Sequence, residues 1–283
     1  MKLKQKKITP EIKLYYTDQE PDWDLVIKTS QLFDSNIKAL KRKPCHKVYL
    51  FEHNNDVFYA KKFAINNLEK RLRDRFHETK AIKCLKISNQ LITTNFKVIE
   101  PIFVLNYKKN LRHESLFITK KYDGISINDF LINETDNSKK KEVMFCLIST
   151  LGVLFRNGFI HHDPILANFF LDKNKNPYEI IFLDLDSITY SQTISKKSTF
   201  LALSRFFFFY YKFLLRQNNV ISYSHEQILY YLDIFLKSYN PKIKIDSAYK
   251  YLIQGTVKLL KSKKERKKDN KAFLSIIKDS KAC

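Results

Sequence analysis

The chain has 283 residues, 44% of them hydrophobic, so it can bury a core as one large domain or two modest ones. That composition excludes collagen-like, mucin-like and disordered chains. Fifty-one Lys and Arg against 29 Asp and Glu leave a net charge of +22, which favours anionic partners such as nucleic acid, phosphorylated lipid or a nucleotide without choosing among them. Four cysteines, Cys45, Cys84, Cys146 and Cys283, stand far apart with no zinc or redox spacing, as expected in a reducing compartment. Only four glycines occur, so neither GxGxxG nor GxxxxGK[ST] can be written anywhere. The basic start Met1-Lys2-Leu3-Lys4 leads into no apolar run, so no signal peptide is expected.

In chain order, the first strong signal is a hairpin over residues 47–63, with β-rich runs at 48–51 and 57–63 around His53-Asn54-Asn55-Asp56. A helix is predicted over 67–88 from the near-helical spacing of Leu68, Leu72, Phe76, Ile82 and Leu85. Strands follow at 96–105 and 115–119, around a polar stretch at 106–114. After Lys121-Tyr122-Asp123-Gly124 the character changes. A helix over 142–155 ends at Asn157-Gly158, and short strands are read at 159–160, 169–171 and 180–183. Helices then dominate, at 200–216, 225–238 and 247–260, with Ser224 as an N-cap. The expected architecture is α+β in two lobes. Residues 1–121 form a small sheet with one helix, and 122–283 form a larger helical lobe.

The chemistry concentrates in Gly158-Phe159-Ile160-His161-His162-Asp163-Pro164-Ile165-Leu166-Ala167-Asn168-Phe169-Phe170 and in Phe182-Leu183-Asp184-Leu185-Asp186-Ser187. Asp163 and Asn168 lie in a loop between apolar strands, and Asp184 ends the next strand. Phosphoryl transfer needs these residue types. One carboxylate orients and deprotonates an acceptor hydroxyl, while an amide and a second carboxylate hold Mg²⁺ against nucleotide phosphates.

At these residues the sequence resembles the protein-kinase-like fold, and most nearly the bacterial lipopolysaccharide core heptose and Kdo kinases. Their loop reads GF-hydrophobic-HGDPxxxN-hydrophobic, and their next strand ends in I-D-hydrophobic. The resemblance covers about residues 35–215. It implies Asp163 as the catalytic aspartate, Asn168 and Asp184 as metal ligands, and ATP with Mg²⁺ as cofactors. It also implies a strand lysine for the phosphates and a helix glutamate that holds it. In Tyr59-Ala60-Lys61-Lys62-Phe63 the A-x-K spacing favours Lys62, with Lys61 as the alternative, since a slip of one residue changes the face. Glu78 matches the helix glutamate, and Tyr122 falls at the hinge. Two features depart from the pattern: His162 stands where the relatives have Gly, and residues 35–47, where a nucleotide-covering loop is expected, hold no glycine.

His161 is read as a brace for the loop rather than a proton carrier. Asp186 is read as a supporting or surface acid, with metal contact as its alternative. The aromatic run Phe206-Phe207-Phe208-Phe209-Tyr210-Tyr211 is read as a buried helix rather than a membrane insert. The basic run at 261–268 is either a solvated segment or a dock for anionic lipid. The leading function is phosphorylation of a heptose or Kdo hydroxyl at the cytoplasmic face of the inner membrane, with an anionic glycolipid as acceptor. Another small molecule or a protein as acceptor is the alternative, as is a catalytically dead anion-binding relative. Nucleic-acid binding has charge in its favour but no recognised motif.

Overall fold

The computed structural model describes residues 2–34, 39–43, 46–64, 78–109, 112–172, 175, 178–217, 224–262, 273 and 275–276. Contacts between Cα atoms divide the chain into two units, Met1–Asp123 and Gly124–Cys283.

The first unit is built on a seven-stranded antiparallel sheet. Its strands are β1 (Lys4–Lys7), β2 (Ile12–Tyr16), β3 (Lys41–Lys43), β4 (His46–His53), β5 (Asp56–Ala64), β6 (Pro101–Lys109) and β7 (Arg112–Lys120). They lie in the order β1-β2-β6-β7-β5-β4-β3. The predicted hairpin is β4–β5. Asn54 and Asn55 take φ of 49° and 65°, the pair of left-handed residues that a two-residue turn of right-handed twist requires.

Register decides which side chains share a face, because directly paired residues in an antiparallel sheet point the same way. Lys62 lies in one row with Leu116, Leu105 and Leu14, and Lys61 in the next with Phe117, Val104 and Tyr15. The Lys62 row faces the core of this unit. There Leu25 and Val26 of α1 (Trp23–Ser30) bury themselves with Leu32, Phe33, Phe103, Leu105, Leu116 and Ile118. Helix α2 (Lys80–Thr93) packs on β6 and β7. The hydroxyl of Thr79, its N-cap, donates to Asn106 Oδ1 at 2.9 Å, and Asn106 alternates with the core-facing Leu105 and Tyr107. So α2 covers the face opposite α1.

The second unit begins with β8 (Ile125–Ser126), α3 (Ile127–Asn133) and α4 (Asn137–Arg156). It continues through β9 (Phe159–His161), β10 (Phe169–Asp172), β11 (Glu179–Phe182) and β12 (Ile188–Tyr190) to α5 (Lys196–Arg216), α6 (His225–Tyr239) and α7 (Ile245–Ser262). β10 pairs with β8 and β11, and β9 pairs with β12. Helix α4 packs on α6 and α5 on α7. Gly152 permits the first contact, since a Cβ there would sit 2.8 Å from the Phe235 carbonyl. Gly158 takes φ of +88° with Ser191 O in the way of any Cβ, so the turn from α4 into β9 needs glycine. Phe206, Phe207, Phe208, Tyr210 and Tyr211 of α5 are buried. Among the described residues no helix is long and apolar enough to cross a membrane.

Several expectations shift. β1, β2 and α1 went unread; β1 is all lysine and glutamine and carries no apolar alternation. The strand expected at 96–105 is broken into a short strand at Lys97–Val98 and the longer β6 from Pro101; ahead of both, Thr94 caps α2 and Asn95, at φ 63°, turns the chain. The stretch taken as polar extends β6 to Lys109 with Tyr107 buried. Glu78, expected inside the helix, precedes the N-cap. Much of that predicted helix, with the turn at 173–177 except Lys175 and the basic run beyond Ser262, lies outside the described residues.

Candidate active site

In the second unit the pairing of β9 with β12 carries His161 into the interior, where it has no solvent exposure. Its ring lies 5.2 Å from that of Phe169 and 6.4 Å from that of Phe182. Burial drives its pKa down to about 3; neighbouring His162 adds to the fall and Asp186 opposes it. The ring is therefore neutral at ordinary pH. Nδ1 accepts the Asp163 N–H at 3.3 Å and lies 3.1 Å from the Ser187 hydroxyl, whose one proton serves either Nδ1 or the Asp184 carbonyl at 2.7 Å. One buried imidazole thus ties the backbone of Asp163 to that of Asp184. This is the brace expected of His161.

The Asp163 carbonyl accepts from the Ile165 N–H and from the Asn168 side-chain amide, both at 2.8 Å. The Asn168 carbonyl accepts the Leu183 N–H at 3.1 Å, immediately before Asp184. Asp163, Asn168 and the strand end at Asp184 therefore belong to one hydrogen-bonded assembly. Because the Asn168 amide nitrogen is committed, its Oδ1 remains as an acceptor. Among the described residues no hydrogen bond or ion pair holds the Asp163 carboxylate, which is half-buried.

His162, the departure from Gly, is fixed from three sides. Its Nε2 lies 2.7 Å from Thr189 Oγ1, its N–H donates to Ser187 O at 2.8 Å, and its carbonyl accepts from Arg205 of α5 at 2.5 Å. Burial first, and the Arg205 charge second, lower its pKa. Ser187, Thr189 and Arg205 were not assigned from sequence. The one signal was Arg205, a charge interrupting an apolar helix.

In the first unit the two lysines part. Lys62 is 6% exposed, and its ammonium donates to Leu32 O at 2.9 Å and Phe33 O at 3.2 Å and pairs with Glu114 Oε2 at 3.0 Å. Glu78 does not meet it. Glu78 is exposed and pairs with Lys86 of α2. Lys61 shares the α2 face. Its ammonium lies 5.3 Å from the centre of the Phe63 ring, which Lys80 of α2 approaches to 5.9 Å. Tyr122 is half-buried just beyond β7, where Lys121 N–H donates to Val57 O at 2.8 Å. The partner of Lys62 is thus Glu114, from the polar stretch at 106–114.

Residues 70–209 match the ABC1 atypical kinase-like domain. Among solved structures, WaaP in complex with acyl carrier protein aligns with a TM-score of 0.59 over 83% of this chain and 92% of that one, at 12% identity. The chain has a protein-kinase-like fold. The kinase-like match takes in Glu78, Tyr122, Asp163, Asn168 and Asp184 but begins after both lysines. At that identity the likeness to WaaP speaks to fold alone. No curated protein matches the sequence.

Proposed function

We propose that this kinase-like chain is an ATP-dependent phosphotransferase acting on a sugar hydroxyl, heptose or Kdo, of the lipopolysaccharide core. The observation that carries the reading is the Asp163 carboxylate. It is left without a hydrogen-bond or ion-pair partner among the described residues, while the loop around it is held at every turn. A carboxylate so placed can orient an acceptor hydroxyl and take its proton. Support for the substrate class comes from the GFIHHDPILANFF loop and from the structural likeness to WaaP, in the heptose kinase group.

Asn168 and Asp184 fit a magnesium ion. Both supply oxygen, the donor a hard cation takes, and the Asn168 amide is turned so that Oδ1 is its remaining acceptor. The ion would neutralise charge on the nucleotide phosphates. Lys61, rather than Lys62, is assigned the phosphate-binding role, because it stands on the α2 face and Lys62 is spent in an ion pair on the other. We place the reaction at the cytoplasmic face of the inner membrane, where such an acceptor is exposed to ATP. The acyl carrier protein found on WaaP is carried over as a candidate protein partner.

Transfer of labelled phosphate from ATP to lipopolysaccharide-precursor extracts tests the reading, with aminoglycosides and basic proteins as competing acceptors. Labelled glycolipid supports it. Label on a competitor alone moves the chain to another kinase class, and nucleotide binding without transfer to any acceptor makes it a catalytically dead relative.

A further inference from the structure

His161 and His162 are neighbours in sequence and serve opposite faces of one strand. β9 pairs with β12 in the register Ile160↔Thr189 and His161↔Ile188. His161 therefore turns inward with Ile188, and both are buried. His162, one residue on, falls on the other face, with Ile160 and Thr189. There His162 and Thr189 are diagonal neighbours, a separation that a long side chain spans. The imidazole does so, with Nε2 2.7 Å from Thr189 Oγ1.

Two backbone bonds meet at the same residue: its N–H donates to Ser187 O and its carbonyl accepts from Arg205. Glycine, the residue of the resembled pattern at this place, would make both of those. Only a side chain reaches Thr189. Asp163 follows at once, and its own N–H is held on the inner face by His161 Nδ1. The backbone entering Asp163 is thus tied on both faces, by His161 within and by His162 without. Both His162 and Thr189 are exposed, so their bond adds little to the core; what it adds is a fixed course for the chain into Asp163. We propose that His162 and Thr189 are a pair of positioning residues, which lock that course so that the Asp163 carboxylate is presented for phosphotransfer. This role rests on the phosphotransfer reading and bears on turnover rather than on nucleotide binding.

Thr189→Val keeps the shape of the side chain and removes the hydroxyl. In the full chain it should lower kcat about threefold to tenfold, the worth of one net hydrogen bond, with KM for ATP and melting temperature unchanged. Thr189→Ser, which keeps the hydroxyl, should recover most of that loss. His162→Ala should lower kcat at least as far, and adding Thr189→Val to it should cost nothing more, since the bond is already gone. Amide hydrogen exchange, read by NMR, reports the lock without turnover. At His162 and Asp163 it should quicken several-fold in Thr189→Val and not in Thr189→Ser. If the wild-type chain transfers phosphate, unchanged kcat in Thr189→Val, additive losses in the double variant, or exchange at the wild-type rate overturns the pair alone. A loss that falls on KM or on melting temperature, or that Thr189→Ser shares, overturns it too, by making the contact one of binding or of folding. No transfer from the wild-type chain to any acceptor overturns the phosphotransfer reading and this role with it, whatever the exchange shows.

Discussion

The Asp163 loop of the second unit and the lysine strand of the first hold their polar side chains by different means. Around Asp163 the positions are set by backbone groups: Asp163 N–H on His161, Asn168 on the Asp163 carbonyl, Leu183 N–H on Asn168, and the His162 carbonyl on Arg205. On β5 nothing but the alternation of the strand separates Lys61 from Lys62. The loop fixes one carboxylate and leaves it unspent. The strand divides two identical side chains, one into an ion pair with Glu114 and the other onto the α2 face. Residue type therefore reports local geometry well in the loop and poorly on the strand, where register decides.

The largest test of this contrast is Asp163→Asn. It keeps size and backbone bonds but removes the base, so phosphotransfer should fall by about 10²–10⁴ while nucleotide binding and melting temperature persist. A near-normal rate would show that the unspent carboxylate is not the base. The strand is tested by exchanging effects. Lys62→Ala removes the ammonium that pairs with Glu114, whose side chain is 13% exposed; breaking such a buried pair typically costs about 3–5 kcal/mol. Chemical denaturation should register that loss. Lys61→Ala should leave stability nearly unchanged and instead weaken ATP binding and turnover. If Lys62→Ala lost activity at unchanged stability, the assignment would return to Lys62.

This contrast also explains what the sequence showed. HxDxxxxN followed by a strand-terminal Asp is local, and apart from Arg205 on the His162 carbonyl its hydrogen bonds join residues no more than 27 apart, so motif and structure coincide. The hairpin was legible because Asn54-Asn55 is turn chemistry in itself. The surroundings of Lys62 were not legible because Leu32, Phe33 and Glu114 lie about 30 to 50 residues away on elements the sequence hid. Helix α1, whose arrival makes one sheet face the core, had a capping Asp22 and buried Leu25 and Val26. Eight residues are too few for periodicity to stand out against a charged background. The place of Glu78 was hidden likewise: the chain sets it before the cap of α2, paired with Lys86.

A smaller effect probes how the loop is held. Arg205→Ala removes the charged donor on the His162 carbonyl without touching Asp163. Hydrogen bonds to charged groups are worth about 1.5–3 kcal/mol, and this one is partly exposed, so a turnover loss of about tenfold is expected, with Lys in place of Arg restoring part of it. A drop in ATP affinity with unchanged turnover would instead assign Arg205 to binding.

The smallest effect is a slope. His161 is neutral and buried, with its folded pKa depressed to about 3 from 6.5. Above pH 6.5 both folded and unfolded states hold it neutral, and its burial carries no proton penalty. As pH falls below 6.5 the unfolded chain takes up a proton that the folded chain refuses, so stability declines until the folded value is reached. The sign is thus stability present at neutral pH and lost on acidification between 6.5 and about 3, by about 1.4 kcal/mol per pH unit at most. His161→Phe cannot take up that proton, although it also loses the bonds to Asp163 N–H and Ser187 and will be less stable at pH 7. The informative quantity is therefore the difference in unfolding free energy between the two proteins, measured by denaturant titration across pH. It should shrink as pH falls below 6.5 and be flat above it. A difference that stays constant throughout would mean that His161 titrates alike in both states, and that its bonds to Asp163 and Ser187 do not hold a neutral ring.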